Sequence, residues 1–355
     1  MTKKRIGILS SGGDAPGINA VIRAIGKTGI VTYDYEILGF QDGFTGVTER
    51  EYDILGKDKL SSLLSRGGTI LGSSRDKAFR KSLQKGDETA KEFAKAWKEL
   101  NLEALVCIGG NGTQKTAATV SSLGYNVIGI PKTIDNDVWG TDETFGFDTA
   151  VSVATELIDR IHSTAQSHKR VILVEVMGHD AGWIALHAGM ASGADVILLP
   201  ELGCDPEIVA DAIKARYEEG KNYAIIVVAE GLRMEGQDTE KGESPSAFLQ
   251  NWLREHVGID SRTTVLGYVQ RGGAPSSHDR NLCTRMGAYA AHLIHDGVYG
   301  VMVSLRNGKM THIPLSETNG KLKLVKPADE LINYGRQMEV SFGVDFAKIR
   351  TKLDD

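Results

Sequence analysis

Leu105-Val106-Cys107-Ile108-Gly109-Gly110-Asn111-Gly112-Thr113 is the stretch that decides how this chain folds. An unbroken apolar run of strand length enters a glycine-rich turn, and residues 114–123 leave it with a helical pattern. A strand with no polar alternation is buried on both faces. Runs of the same kind recur at 6–9, 127–130, 171–176, 196–199, 224–228, 265–268 and 301–305. Between many of them lie one-faced helical patterns, such as Ala90, Phe93, Ala94, Trp97 and Leu100, or Ile208, Val209, Ala212, Ile213 and Tyr217. Asp205-Pro206-Glu207 marks a helix start, Gly220 its stop and Ser244-Pro245 a further start. The expected class is α/β, with parallel sheets covered by helices on both faces.

At 355 residues the chain has room for two domains with cores of their own. A Gly/Asp-rich stretch at 139–148 precedes a long amphipathic pattern, Val151, Ala154, Leu157, Ile158 and Ile161, and marks a change of domain. The net charge of −5 argues against a general nucleic-acid binder, so an anionic ligand must be held by local arginines. Cys107, Cys204 and Cys283 are far apart and odd in number, which indicates neither a disulfide framework nor a zinc site. The apolar run after Lys3-Lys4-Arg5 is too short for a signal-peptide core, and no stretch is long enough to span a membrane. A cytoplasmic location is the expectation.

In open α/β sheets ligands bind beyond the carboxyl ends of strands. Three loops fall there: Ser11-Gly12-Gly13-Asp14, Gly109 to Thr113, and Pro131-Lys132-Thr133-Ile134-Asp135-Asn136-Asp137. The second runs into a helix, so its N–H groups suit a phosphate; a glycine-rich turn with no ligand is the alternative. It is not a P-loop, because Gln114 stands where the motif's second glycine should precede Lys115-Thr116, and no GxGxxG follows a strand. The third loop packs two carboxylates, a hydroxyl and a lysine into seven residues. In an extended segment Thr133, Asp135 and Asp137 share one side, where one carboxylate takes a proton while its neighbour holds a cation. A polar turn is the bland alternative. Arg75, Arg170, Arg262 and Arg271 recur in glycine-rich or polar contexts, and guanidinium forks suit phosphate oxygens.

These elements together resemble the phosphofructokinase family. The resemblance rests on residues 11–20, Gly67-Gly68-Thr69-Ile70-Leu71-Gly72-Ser73-Ser74-Arg75, the Gly109 to Thr113 loop, Pro131 to Asp137, Val174-Glu175-Val176-Met177-Gly178, Glu230-Gly231 and Val269-Gln270-Arg271-Gly272-Gly273, in that order across residues 5–280. It implies two doubly wound Rossmann-like domains with the active site in the cleft between them. Residues 1–146 plus about 270–322 would bind the nucleotide, and 147–269 plus about 323–355 the sugar phosphate. The implied reaction moves the γ-phosphoryl group of ATP to the 1-hydroxyl of fructose 6-phosphate, in glycolysis. Asp135 is the expected base, Thr133 orients the phosphoryl group, and Asp137 supports Mg²⁺. Gly12, Arg75, Asp76, Gly110, Asn111, Gly112 and Thr113 are the expected nucleotide contacts. Thr133, Ile134, Asp135, Arg170, Met177, Gly178, His179, Glu230, Arg262, Tyr268, Val269, Gln270 and Arg271 are the expected sugar-phosphate contacts. Arg170 and Arg262 are expected to reach a neighbouring subunit's site, which makes a homotetramer, or a dimer, part of the expectation; neither nucleic acid nor membrane is a partner.

Departures from the family pattern matter. Asn111 stands where well-studied ATP-dependent members carry aspartate, so of the metal residues Asn111 and Asp137 the second carries more weight. His179 replaces an arginine, and Tyr268 a histidine. Donor choice turns on Gly112, which is ATP-like and leaves room for a nucleotide, and Lys132, which is pyrophosphate-like. The chain looks like the mixed-substrate branch. ATP is the expected donor, a pyrophosphate-dependent phosphotransferase the alternative, and an inactive sugar-phosphate sensor a third reading.

Overall fold

Alternate residues of the apolar runs face opposite sides of a sheet, and here both sides are filled. Residues 3–350 are described in the computed structural model. The strands are β1 (Arg5–Ser11), β2 (Glu36–Phe40), β3 (Tyr52–Ile54), β4 (Leu102–Gly109), β5 (Val127–Thr133), β6 (Phe145–Gly146), β7 (Val171–Val176), β8 (Val196–Leu198), β9 (Ala224–Ala229), β10 (Ser261–Val265), β11 (Val301–Arg306) and β12 (Lys309–Pro314). The chain divides into two compact units, Met1–Thr149 with Arg271–Lys323 and Ala150–Gln270 with Leu324–Asp355.

In the first unit the sheet order is β12-β11-β5-β4-β1-β2-β3, with β6 beside β5. Ile6 and Ile8 of β1, with Val106 and Ile108 of β4, pack on one face with helices Ile18–Tyr33 and Ser277–His295. Leu9, Leu105 and Cys107 pack on the other with helices Glu88–Glu99 and Asn111–Ser122. In the second unit β10-β7-β9-β8 are all parallel, and Val171, Leu173, Ile226 and Val228 bury against helices Pro206–Glu218 and Pro245–Val257. The Asp205 carboxylate and the Ser244 hydroxyl cap those two helices by accepting from Glu207 N at 3.0 Å and Ala247 N at 3.3 Å. Helices Glu330–Gln337 and Phe346–Arg350 follow near the C-terminus. None of the described helices is long and apolar enough to cross a membrane.

Three sequence expectations need correction. The sheets are not wholly parallel, since β3 and β12 pair antiparallel with β2 and β11 at the edges of the first sheet. The run 265–268 is not a strand: β10 ends at Val265, and Gly267–Gln270 is a 3₁₀ turn entered through Gly267 at φ 56°. The true strand, Ser261-Arg262-Thr263-Thr264-Val265, escaped notice because it is a polar edge strand. Finally, β5 continues through Pro131 and Lys132 to Thr133, after which the chain bends and Asn136 takes a left-handed φ of 53°. Thr133, Asp135 and Asp137 therefore do not lie on one extended segment.

Candidate active site

Parallel register sets the first unit's site. Ser11 of β1 lies opposite Gly109 of β4, and Gly109 opposite Pro131 of β5, so β1 and β4 end level and β5 runs two residues beyond them. The three loops singled out in the sequence leave from that end of the sheet and meet. Helix Asn111–Ser122 begins right after Gly110, leaving its first-turn N–H groups without intrahelical partners. Gln114, which spoils the P-loop pattern, instead staples strand ends by donating to Gly109 O at 2.8 Å and Ile130 O at 3.0 Å. A Cβ on Gly112 would meet nothing within 4 Å, whereas one on Gly109 would lie 2.3 Å from Thr113 Oγ1.

On β1's loop, Gly12 is left-handed at φ 82° and its N–H donates to Ser74 O at 2.9 Å, tying the loop to the segment that carries exposed Arg75. Buried Asp76 accepts from the hydroxyls of Ser11 and Thr113; burial raises its pKa, and those two hydrogen bonds oppose the rise. It thus fastens two strand ends. Arg80, one turn further along, donates from Nη1 to Gly112 O at 3.3 Å. The sequence reading missed Arg80, although its place four residues after Asp76 puts both on one helix face.

Lys132 is fully buried and donates to Gly13 O across the gap between β5 and β1. Arg271 packs over the same glycine, so that a Cβ on Gly13 would lie 2.8 Å from Nη1. Burial lowers the Lys132 pKa to about 8; Asp135 opposes the drop, Arg271 adds to it, and Asp14 and Asp137 oppose it more weakly. In the turn beyond, Thr133 Oγ1 donates to Asp135 Oδ2 and accepts from Asp135 N, both at 3.1 Å. The bend replaces the extended segment as the means of joining hydroxyl to carboxylate. Ile134 is buried beneath the turn. Asn111 Nδ2 donates to Asp137 Oδ2 at 2.7 Å, while Asn111 Oδ1 is buried with no hydrogen-bond partner. Two hard oxygens thus stand together, a sparse set of the kind Mg²⁺ takes when substrate and water supply the rest. Among the described residues, no group of three or more His, Cys, Asp and Glu could hold a metal ion.

The second unit gathers another set. Glu230, just after β9, accepts on Oε1 from Gly178 N at 3.2 Å and His179 N at 2.9 Å, and so fixes the turn that follows β7. Gly178 has φ 149° and His179 φ 53°. Gly231 must be glycine, because a Cβ there would lie 2.0 Å from His179 O. Met177 is buried, and its N–H donates to Gln270 Oε1 at 3.3 Å. His179 is exposed, with Nδ1 3.1 Å from Asp180 Oδ2. Arg170, before β7, and Arg262, on β10, lie toward the open edge of this sheet, where Arg262 Nη1 pairs with Asp260 Oδ1 at 2.5 Å and holds that carboxyl below its usual range. Tyr268 is 78% and Val269 55% exposed on the 3₁₀ turn.

The comparisons with known proteins agree with one another. A family model described as phosphofructokinase matches residues 5–294. A protein of Bacteroides thetaiotaomicron named ATP-dependent 6-phosphofructokinase 3 is 49% identical over 340 residues, covering 96% of this chain and 100% of that protein. Others at 43–47% identity carry the same enzyme name. A pyrophosphate–fructose 6-phosphate 1-phosphotransferase of Streptomyces coelicolor is 45% identical over 338 residues, covering 91% of this chain and 97% of that one. The crystal structure of Pichia pastoris phosphofructokinase in the T-state matches with a TM-score of 0.79 at 32% identity; the match covers 90% of this chain, which spans 35% of that one.

Lys132 supplies a stability test. With its pKa at about 8 in the folded protein and an ordinary lysine value of 10.5 in the unfolded chain, the unfolded chain holds the extra proton between those pH values. Stability contributed by this site therefore rises with pH through that window, by on the order of 3 kcal/mol. Urea unfolding of wild type and Lys132→Met from pH 7 to 10.5 should show wild type gaining on the variant above pH 8. A pH-independent difference would contradict the assignment.

Proposed function

The chain belongs to the phosphofructokinase family, and we propose that it transfers the γ-phosphoryl group of ATP to the 1-hydroxyl of fructose 6-phosphate, giving fructose 1,6-bisphosphate and ADP, in glycolysis. The observation that carries the reading is the meeting of the Gly110–Thr113 helix start with the Thr133–Asp135 pair at one end of the sheet. The donor's phosphates take the first-turn N–H groups of helix Asn111–Ser122, with Arg75 and the Gly12 loop alongside. Because the Gly12 N–H is already committed to Ser74 O, that residue acts by letting the backbone approach closely.

Asp135 is the base. A free alcohol is a poor nucleophile, and a carboxylate in reach takes its proton as the bond to phosphorus forms. The Thr133 hydroxyl holds the carboxylate in place. Lys132 and Arg271, both cations at Gly13, stabilise charge that builds on the transferred group. Asn111 and Asp137 would hold Mg²⁺, which when bound neutralises phosphate charge. Met177, Gly178, His179 and Glu230 orient the sugar phosphate, their turn fixed by Glu230.

Donor choice follows from space. The open room at Gly112 favours a nucleotide, and the relatives named for ATP support it. The buried Lys132 and the Streptomyces relative favour pyrophosphate as the second reading. The exposed edge at Arg262, Thr264 and Val265, continued by Tyr268 and Val269, fits a homotetramer or dimer whose neighbour covers it and receives Arg170 and Arg262. Free thiols at all three cysteines fit the cytoplasm.

Two checks follow. In a coupled assay with each donor, Asp135→Asn should lose roughly 10²- to 10⁴-fold in kcat. Gly112→Asp, whose added atoms meet open space, should lose roughly 100-fold in kcat/KM for ATP and far less for pyrophosphate. Undiminished Asp135→Asn would remove the base, and equal loss with both donors would remove Gly112 as the selector. Light scattering should report an oligomer, against which a stable monomer would count.

A further inference from the structure

The turn that carries Asp135 to Asp137 needs holding. Asn136 is left-handed, a conformation that costs a residue with a side chain about 1 kcal/mol. From inside the turn, Thr144 donates its N–H to Asn136 Oδ1 at 3.1 Å and its hydroxyl to Thr133 O at 2.8 Å. From outside comes a residue 187 positions away. Lys323 donates its backbone N–H to Asp137 O at 2.9 Å, and its ammonium to Asn136 Oδ1 at 2.8 Å and Asp142 O at 2.6 Å. The isolated antiparallel bridge between Val138 and Leu322 extends the grip by one residue on each segment.

We infer that Lys323 is a positioning residue for phosphoryl transfer: its ammonium and its backbone N–H clamp Asn136 and Asp137, and so fix the two carboxylates that flank Asn136. The inference rests on the reading of Asp135 as the base. The clamp is a charged one. The ammonium is partly buried, and the carboxylates of Asp142, Glu143 and Asp137 act on it in favour of the charged form. The ammonium bridges Asn136 and the carbonyl of Asp142, joining the two arms of the 136–142 loop. Charge-assisted hydrogen bonds of this kind are roughly twice as strong as neutral ones. The partners named above are Asn136, the carbonyl of Asp142 and the backbone of Asp137, not the carboxylate of Asp135. The effect of Lys323 reaches the chemistry through the place it gives Asp135 and Asp137, and misplacement by about 1 Å costs on the order of 100-fold in rate.

Lys323→Met keeps the backbone N–H and the stem but removes the ammonium, and Lys323→Arg restores the charge. Steady-state kinetics with fructose 6-phosphate, magnesium and ATP should show kcat for Lys323→Met down roughly 10- to 100-fold, with both KM values within about threefold of wild type. The arginine variant should regain most of the loss. Hydrogen exchange followed by mass spectrometry should show faster exchange in Lys323→Met confined to peptides covering 134–144. A methionine variant with wild-type kcat, or an arginine variant no faster than the methionine one, would overturn the inference. So would loosening spread through the whole first unit, which would mark a purely structural residue. If wild type itself moves no phosphoryl group, the proposed function fails on its own account. The exchange comparison then decides the clamp, and unaltered protection across 134–144 in Lys323→Met would dismiss it.

Discussion

Everything in the first unit's site depends on one register: Ser11 opposite Gly109 opposite Pro131 across three adjacent parallel strands. Parallel strands carry their loops out at the same edge, and this register brings those loops together. Shift β5 by one residue against β4 and Lys132 would point away from Gly13. The register is held by what lies beneath it. Both faces of β1 and β4 are packed with aliphatic side chains, so neither strand can slip without exposing one of two cores.

Charge is the second constraint. The strand ends bury a carboxylate, Asp76, and an ammonium, Lys132, each shifted by burial toward its neutral form. Burying such groups costs stability unless hydrogen bonds and opposite charges offset it. Asp76 is offset by two hydroxyls, and Lys132 by a backbone carbonyl and the carboxylates of the next turn. These groups are held ready for a ligand with the opposite balance. On the proposed reading, a polyphosphate would bring negative charge to the cations and a metal positive charge to Asn111 and Asp137, so that part of the cost of folding would return as binding.

Most of this was legible in the sequence, where periodicity was strong. Continuous apolar runs located β1, β4, β5, β7, β8, β9 and β11, because a strand buried on two faces has nowhere to put a polar residue. Polar edge strands were not legible. β3, β12 and β10 carry polar residues, because an edge need not be apolar on both faces, and β2, an interior strand, is short and interrupted by Gly39. The loops were legible as loops, and the three singled out in the sequence do come together. What failed was geometry inside the third loop: alternation suggested an extended segment, but Asn136 turns left-handed and the Thr133 hydroxyl caps the bend. Long-range partners left no trace. Nothing around Lys323 signals that it grips a turn 187 residues earlier, and Thr144 reads as one polar residue among several.

The central claim is that one sheet edge moves a phosphoryl group from a nucleotide to the sugar's C1 hydroxyl. Phosphorus NMR of the wild-type protein with fructose 6-phosphate, magnesium and ATP reads it directly. The account predicts loss of the ATP γ signal, growth of ADP signals, and a new sugar phosphomonoester resonance at C1 in equal amount. Orthophosphate in place of that resonance, or spectra that do not change, would contradict it.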